Sequence, residues 1–435
     1  MRATQAFMVF ACAAGLTAGC DWRTFDNLQN QAPVLVVGTP SSYPSSNDFG
    51  GAILALTPPA DGSAAAWYLG SGVEVTALGL VTIDPAGKAT ARTVPANQPS
   101  LEALQNNPVT SMAEIPGSNP HSAFLGAPTF DSLLTIDLTT STVTPFVPAS
   151  ATVALEPGLG LGVAVANLGG AATPDFVATS NTSLHVFLDG STTDLTPAAA
   201  DLTACPITIT TSLPTEERVN RAVVVGALTG ATPVIAVGTP VASAPGSVAF
   251  FSVGAGAVTC AFALGPPAAT PDPTFGRALA VGDFDHDGVA DLLVGAPPTR
   301  VYLFRGPIAA GAAPTAVITG PIGSAGFGSS LTAMDLDGVA GDEAIVGDPK
   351  YAAGGAQLAG SAFIYSGPKL ATPLSPTLAD HAPGSGEAYA ATLATLPFCA
   401  AQPCPAPTRL PLVGAPAKIF TYFDLGLGVA DPRVQ

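Results

Sequence analysis

The sequence predicts an all-β protein assembled from repeated sheets, and three observations lead to this fold class. Its apolar segments are short, strand-sized runs such as Val34–Val37 and Leu292–Val294. The 435 residues include 47 glycines and 43 prolines, which is typical of a chain with many turns. One pattern, an apolar strand that ends in Gly-x-Pro, recurs along the chain. Self-similarity of this kind indicates a repeat architecture.

The charge balance is strongly acidic, with 14 Lys and Arg against 31 Asp and Glu and a formal net charge of −17. A polyanion repels a phosphate backbone, so the composition excludes nucleic acid as a partner. Beyond the N-terminus, no uninterrupted apolar run approaches the roughly 18 residues of a membrane-spanning helix. The composition therefore predicts a soluble, β-rich protein.

The repeat is clearest in two consecutive units. Phe275-Gly276 lies 20 residues before the strand end Gly295, and Phe327-Gly328 lies 20 residues before Gly347. Aromatic strands such as Val301–Phe304 follow the Gly-x-Pro ending. Counting one copy in which serine replaces the glycine, seven strand ends carry the pattern: Gly38, Gly126, Ser180, Gly238, Gly295, Gly347 and Gly414.

The spacing of the copies predicts blades. Successive strand ends are 88, 54, 58, 57, 52 and 67 residues apart. A unit of about 55 residues with four short strands has the size of one β-propeller blade. We therefore expect seven four-stranded antiparallel blades over residues 33–435. The long first interval predicts an insertion around residues 71–108, with a hairpin turn at Asp84–Gly87 and a short helix around Leu101–Gln105. A degenerate eighth blade is the alternative.

The C-terminus repeats an earlier motif. Leu425–Ala430 has the same sequence as Leu159–Ala164, which opens the third unit. The first unit, which begins at Val34, lacks such an opening strand. We therefore expect the C-terminal strand to complete the first blade, so that pairing of the chain ends leaves no free edge. The alternative is that Leu425–Ala430 forms the fourth strand of the last blade.

The N-terminus has the features of an export signal. Arg2 precedes the apolar stretch Ala6–Ala14, and small residues follow. Leu16–Gly19 before Cys20 resembles the bacterial lipobox, although Thr17 stands where an aliphatic residue is usual. This resemblance implies a signal peptide over residues 1–19, diacylglycerol on Cys20 and a linker over residues 20–32. The expected location is the cell envelope, lipid-anchored at the outer membrane or cell surface. An ordinary secretory signal is the alternative.

Four cysteines remain beyond the signal and Cys20. In an exported protein, four thiols favour two disulfides. The most local pairing joins Cys399 to Cys404, which would leave Cys205 with Cys260. A zinc site is the alternative, but the chain has no CxxC spacing and only four histidines.

One segment in the fifth unit has the spacing of a calcium loop, with carboxylates at positions 1, 3, 5 and 9. Alternate side chains of a tight loop converge on one point, and Gly288 permits the sharp turn. The twelfth position, where an EF-hand has Glu, is Val294, so the segment is a shorter loop between strands. A solvated acidic turn is the alternative. The candidate calcium ligands are Asp283, Asp285, Asp287, the Val289 carbonyl and Asp291.

The sixth unit carries a weaker version of this loop. Asp335 and Asp337 occupy the first and third positions and Glu343 the ninth, but Val339 stands where a third acid would lie. We expect a weaker or partial second site. In the last unit the loop holds the predicted Cys399–Cys404 disulfide instead of acids. The cation and the disulfide would each restrain one loop, so the predicted calcium is structural.

These motifs resemble the FG-GAP repeats of the integrin α-chain propeller, which also occur in bacterial exported proteins. The likeness is most specific in the fifth and sixth units and weakest in the first three. The resemblance implies a seven-bladed propeller with calcium loops on one face and ligand-binding loops on the other.

Function follows from this resemblance more than from any catalytic motif. The four histidines are scattered, and the sequence contains no nucleophile elbow or phosphate-binding loop. We therefore expect a non-enzymatic binding or adhesion protein that presents one face to an extracellular protein or glycan. The ligand-binding residues are not predicted. The alternatives are a calcium-containing propeller enzyme that acts on polysaccharide or phospholipid, and a structural envelope scaffold without a ligand.

Overall fold

The structure is a computed structural model with seven antiparallel sheets arranged as the blades of a β-propeller. It describes residues 34–38, 49–71, 78–93, 109–117, 121–154, 156–170, 172–195, 205, 221–241, 245–254, 256–352, 359–366, 388–399, 407–423 and 425. Within these ranges the helical structure amounts to one four-residue α-helix and two 3-10 turns. They are α1 (Ala151–Ala154), Pro128–Phe130 and Leu188–Gly190.

The blades follow the chain, and each begins with the strand nearest the centre. Blade 1 contains β2 (Ala52–Leu56), β3 (Ala66–Ser71), β4 (Leu78–Ile83) and β5 (Ala89–Thr93). Blade 2 contains β6 (Ser111–Ile115), β7 (Ser122–Ala127), β8 (Ser132–Asp137) and β9 (Thr142–Phe146). Blade 3 has three described strands, β10 (Gly162–Ala166), β11 (Asp175–Thr179) and β12 (Leu184–Phe187).

The remaining blades repeat this order. Blade 4 contains β13 (Val223–Gly226), β14 (Val234–Thr239), β15 (Ser247–Gly254) and β16 (Ala257–Leu264). Blade 5 contains β17 (Ala278–Gly282), β18 (Asp291–Ala296), β19 (Arg300–Phe304) and β20 (Ala316–Thr319). Blade 6 has three described strands, β21 (Ser330–Met334), β22 (Glu343–Asp348) and β23 (Ser361–Tyr365). Blade 7 contains β24 (Thr392–Phe398), β25 (Thr408–Ala415), β26 (Lys418–Tyr422) and β1 (Val34–Gly38).

The core is divided among the contacts between blades. Seven clusters of buried apolar side chains each join two neighbouring blades, and one of them joins blade 7 to blade 1. The second strand of a blade contacts both neighbours, so β18 and β22 are buried at every position. This explains the apolar runs at their centres, Leu292–Val294 and Ala344–Val346. Burial of each large side chain contributes about 1.5–3 kcal/mol, which a single exposed sheet could not obtain.

The Phe-Gly and Gly-x-Pro motifs meet where blade 6 packs on blade 5. Phe327 is fully buried between blades 5 and 6, and Gly328 has a φ of 89°. A β-carbon added at Gly295 would lie 2.2 Å from the Gly328 carbonyl oxygen. Only glycine permits this approach of two backbones, so the spacing of the two motifs records how one blade packs on the next.

The structure confirms seven blades but corrects the first copy of the repeat. Val34–Gly38 is β1, which pairs antiparallel with β26 at the outer edge of blade 7. Only Val37 of this strand is buried, and Val36 is exposed. The second strand of blade 1 is β3, whose Gly70 lies 56 residues before Gly126. An apolar sequence alone did not distinguish an outer strand from a strand buried on both faces.

The insertion predicted around residues 71–108 stays a prediction, because residues 72–77 and 94–108 lie outside the described residues. The predicted hairpin exists, with β4 and β5 joined at Asp84–Lys88, but it forms the outer half of blade 1. The predicted helix at Leu101–Gln105 lies outside the described residues. Of the proposed C-terminal strand Leu425–Ala430, only Leu425 is described, so its pairing with the first blade stays a prediction.

A disulfide joins Cys205 to β16 of blade 4. Cys205 and Cys260 are bonded, with their α-carbons 5.9 Å apart, and Cys205 is fully buried. Cys399, which directly follows β24, is also disulfide-bonded. Its predicted partner Cys404 lies outside the described residues, as does Cys20. Among the described residues, no helix is long and apolar enough to cross a membrane.

Candidate cation-binding loops

The first acidic loop, residues 283–291, connects the first two strands of blade 5. β17 ends at Gly282 and β18 begins at Asp291, so the loop must reverse the chain within eight residues. His286 and Gly288 both have positive φ, at 59° and 81°. Two left-handed residues this close produce the tight turn, and glycine adopts that conformation without a steric penalty. The predicted role of Gly288 as a turn residue therefore agrees with the backbone.

The turn brings three carboxylates together. Asp283, Asp285 and Asp287 each offer an oxygen, and these oxygens all lie within 4.8 Å of one another. The backbone partly holds two of them, because Asp283 accepts the N–H groups of Asp287 and Gly288 at 3.1 and 3.0 Å. Asp287 accepts the N–H of Val289 at 2.8 Å. Three negative charges at this separation repel one another unless a cation or proton intervenes.

Asp291, the fourth predicted carboxylate ligand, has a different environment. Its Oδ2 accepts the N–H of Phe284 at 3.0 Å, and its Oδ1 accepts the N–H of Gly306 at 2.8 Å. Burial raises the pKa of Asp291 despite these bonds. Asp291 is not in the three-carboxylate cluster. In this structure its visible role is to tie the loop to its own strand and to the end of β19.

The two carboxylate oxygens of Asp285 have different environments. Its Oδ1 is inaccessible to solvent and has no hydrogen-bond partner in the described structure. Its Oδ2 lies 2.8 Å from Nη1 of Arg305, the residue that follows β19. A buried carboxylate oxygen without a donor is costly, so Asp285 provides an oxygen that a cation would satisfy.

The second acidic loop, residues 335–343, connects β21 to β22 in blade 6. Asp335, Asp337 and Glu343 offer oxygens that also lie within 4.8 Å of one another. Burial, with the charges of Asp337 and Asp335, raises the pKa of Glu343 to about 7. Glu343 accepts the N–H of Leu336 at 2.8 Å, much as Asp291 accepts that of Phe284. The fold therefore brings together three carboxylates in each of the two predicted acidic loops.

Asp342 couples the two loops, which the sequence did not reveal. Its Oδ2 accepts the N–H of Asp283 at 2.8 Å, and its own N–H donates to the Asp283 carbonyl at 2.8 Å. In sequence Asp342 is simply a neighbour of Glu343, and nothing there indicates that it faces another blade. Asp283 of the first acidic loop is thus held in place by a residue of the second.

The structure also brings two carboxylates to one buried histidine in blade 3. The scattered positions of the histidines in the sequence did not indicate this group. His185 is fully buried, with Nδ1 3.0 Å from Asp194 and Nε2 3.0 Å from Glu156. Burial alone would lower the pKa of His185, but hydrogen bonds to the two carboxylates raise it to about 9. Ser180 and Thr182 also donate to Glu156, at 2.5 and 2.8 Å. An imidazolium enclosed by two carboxylates acts as a structural ion pair.

Fold and loops together define a class of protein, a seven-bladed β-propeller with acidic loops between the first and second strands. Residues 275–304 match the FG-GAP repeat family. The match extends from Phe275 to the end of β19 and contains the whole first acidic loop. The predicted resemblance to FG-GAP repeats is thus confirmed for the first three strands of blade 5.

Comparisons with individual proteins add a partial relative and a structural neighbour. Human phosphatidylinositol-glycan-specific phospholipase D is 36% identical over 111 residues, which cover 23% of this chain and 13% of that protein. The solved structure of BBS1N in complex with ARL6DN, soaked with mercury, has a TM-score of 0.51 at 9% identity. That similarity covers 90% of this chain and 97% of the other chain, and it concerns the fold alone.

Proposed function

We propose that this protein is a calcium-stabilised binding or adhesion protein, anchored by lipid to the bacterial cell envelope, that presents one propeller face to a protein or glycan. The clustering of Asp283, Asp285 and Asp287 inside an FG-GAP repeat carries the proposal. The predicted export signal and Cys20 supply the location.

The residues of the first acidic loop fit calcium by their chemistry. Calcium takes six to eight hard oxygen ligands in a flexible arrangement, and carboxylates are its most common protein ligands. The orphaned Oδ1 of Asp285 supplies a buried oxygen that needs a positive partner. We assign Asp283, Asp285, Asp287 and the Val289 carbonyl to the ion. Asp291 serves as a structural acid that also adds negative charge. When bound, calcium would neutralise the loop and restrain it.

The ligand would bind at the other end of the blades. Both acidic loops connect first to second strands, so antiparallel pairing puts the turns between second and third strands at the opposite face. The described turns there include 297–299 in blade 5 and 349–352 in blade 6, where Lys350 is exposed. Calcium would then stabilise the scaffold at one face while the opposite face binds.

Binding by calcium-loaded protein tests the function directly. Full-length protein would be screened against glycan arrays and envelope or host-surface extracts, in calcium and in chelator. We expect reproducible binding to one ligand class that weakens in Asp285→Ala and is retained in Asp61→Ala, a surface acid of blade 1. Turnover of a polysaccharide or phospholipid, or a complete absence of binding in calcium, would contradict the proposal. Mass spectrometry of protein from bacterial membranes should show diacylglycerol on Cys20.

A further inference from the structure

Arg305 brings a positive charge to the first acidic loop from outside the loop. It directly follows β19, and its Nη1 lies 2.8 Å from Asp285 Oδ2. The next residue, Gly306, donates its N–H to Asp291 at 2.8 Å. A β-carbon on Gly306 would lie 2.4 Å from the Ala290 carbonyl, so this segment packs directly against the loop. The position of Arg305 beside Asp285 is therefore fixed by its neighbour.

We propose that Arg305 is a resident counter-ion of the first acidic loop, which competes with calcium for Asp285 and so sets the calcium affinity of the loop. This inference rests on the calcium site proposed above. An oxygen engaged by a guanidinium is less available to a cation, and two cations a few ångströms apart repel each other. Arg305 would therefore stabilise the loop without calcium and oppose the binding of calcium.

The second acidic loop provides an internal comparison. In blade 6 the residue that directly follows the third strand is Ser366, where blade 5 has Arg305. Serine offers no positive charge, and the second loop also has fewer carboxylates in alternation. The loop with more alternating carboxylates is thus the one that has a basic neighbour. This pattern fits a role for Arg305 in lowering the calcium affinity of the loop that has the larger number of carboxylates.

The same strand supplies a matched control. Arg300 lies at the opposite end of β19 and pairs with Asp272 at 2.9 Å. Five residues of strand separate the two arginines by about 16 Å, beyond a Debye length at physiological salt. Arg300→Gln therefore removes the same charge from the same strand without altering the electrostatics of the first acidic loop.

The opposite signs of two effects distinguish this role from a purely structural one. Arg305→Gln should bind calcium about tenfold more tightly, because the competing positive charge is gone. In chelator the same variant should unfold at a lower temperature than the wild type, because the carboxylates lose their counter-ion. Arg305→Lys keeps the charge, so its affinity should stay within about threefold of wild type. A residue that only supports the loop would lower stability and calcium affinity together.

The experiment is calorimetric titration of the full chain with calcium chloride at physiological salt, with thermal unfolding in chelator. All proteins would carry Asp335→Asn and Asp337→Asn, so that only the first acidic loop titrates. Arg305→Met, which keeps the aliphatic stem, is the second neutral variant should Arg305→Gln fail to fold. Tighter binding in the neutral variants and unchanged binding in Arg300→Gln are expected.

The two possible failures are distinguishable. If the parent binds calcium and the neutral variants bind equally or less tightly, the role of Arg305 is wrong while the calcium site stands. If neither the parent nor the neutral variants bind calcium although folded, the calcium site fails and the inference fails with it. Equal tightening in Arg300→Gln would show a general charge effect and would also overturn the inference.

Discussion

The loops between the first two strands of blades 5 and 3 share one hydrogen-bonding frame but differ in acidic content. In blade 3, Asp175 accepts the N–H of Leu168 through Oδ2 and that of Asp189 through Oδ1, at 2.6 and 2.7 Å. In blade 5, Asp291 accepts the N–H groups of Phe284 and Gly306 through the same two oxygens. The terminal aspartate thus has the same structural role in both blades.

The two loops differ in the positions that precede this aspartate. Where blade 5 has Asp283 and Asp285, blade 3 has Asn167 and Gly169. Asn167 accepts the N–H of Gly170 at 2.6 Å, so the blade 3 loop also restrains its own backbone. A loop can therefore keep its shape without clustered acids. The difference teaches that the terminal aspartate has a structural role in both loops, whereas the alternating acids are specific to blade 5, where we propose the cation site.

The largest expected effect comes from removing the terminal aspartate in either loop. Asp291→Ala and Asp175→Ala should each lower the free energy of unfolding by about 4 kcal/mol, because at least two backbone N–H groups lose their acceptor. Denaturant unfolding in chelator measures this, with Asp287→Ala as the mild control within the same loop. A loss in Asp291→Ala that appears only when calcium is present would identify Asp291 as a ligand instead.

Blade 3 should show its own electrostatic dependence, through pH. The pKa of His185 is raised from about 6.5 unfolded to about 9 folded, so its contribution is complete below pH 6.5 and is lost as pH rises through 9. We expect a loss of about 3 kcal/mol across this window. Thermal unfolding from pH 6 to 10 would follow it, and the difference between wild type and His185→Gln isolates the contribution. Parallel pH profiles for the two proteins would refute it.

Calcium should stabilise through blade 5 and not through the loop of blade 3. At a calcium concentration of 100 times Kd, the wild type should gain about 2.7 kcal/mol. Asp285→Ala should lose the first loop's share of this gain and be at least as stable as wild type in chelator, because carboxylate repulsion falls. Thermal unfolding with and without calcium measures both effects, and Gly169→Ala in blade 3 should leave the calcium gain intact. If Asp285→Ala kept the full stabilisation by calcium, the assignment of Asp285 as a calcium ligand would be wrong.

The smallest expected effect concerns the link between the acidic loops. Asp342→Ala should cost about 1.5 kcal/mol, because the N–H of Asp283 loses its acceptor. Calcium affinity of the first loop should weaken slightly as Asp283 loses its fixed position. Asp61→Ala is the matched control, since Asp61 lies outside both acidic loops and accepts the N–H of Ser63 in its own loop at 2.9 Å. Calorimetry that shows equal affinity in Asp342→Ala and wild type would make the link irrelevant to the site.

Much of the fold was predictable because the residues that pack one blade on the next lie close together in the sequence. Phe275 and Gly295 lie 20 residues apart in the sequence. Phe275 is buried, and Gly295 is the point at which the next blade approaches closely. The acidic clusters were predictable for the same reason, since a tight turn places alternate side chains together. The first copy was misassigned because Val34–Gly38 resembles a central strand in composition, and only burial distinguishes the two.

Other groups could not be predicted because they meet across distant parts of the chain. His185 and Glu156 lie 29 residues apart, and no local pattern indicates their contact. Arg305 reaches Asp285 only because β19 ends beside the loop. Asp342 reaches Asp283 only because blades 5 and 6 are neighbours in the ring.

The sequence by itself determined the seven-unit repeat, the strand type and the acidic loops, because each depends on neighbours close in the chain. Tertiary structure decided which strand joins which blade, which acid serves the fold, and where Arg305 and Asp342 act. Those outcomes depend on the order in which blades pack around the ring. Chemically similar residues then take different roles according to their burial and to the backbone N–H groups that they satisfy. No short stretch of sequence contains this information.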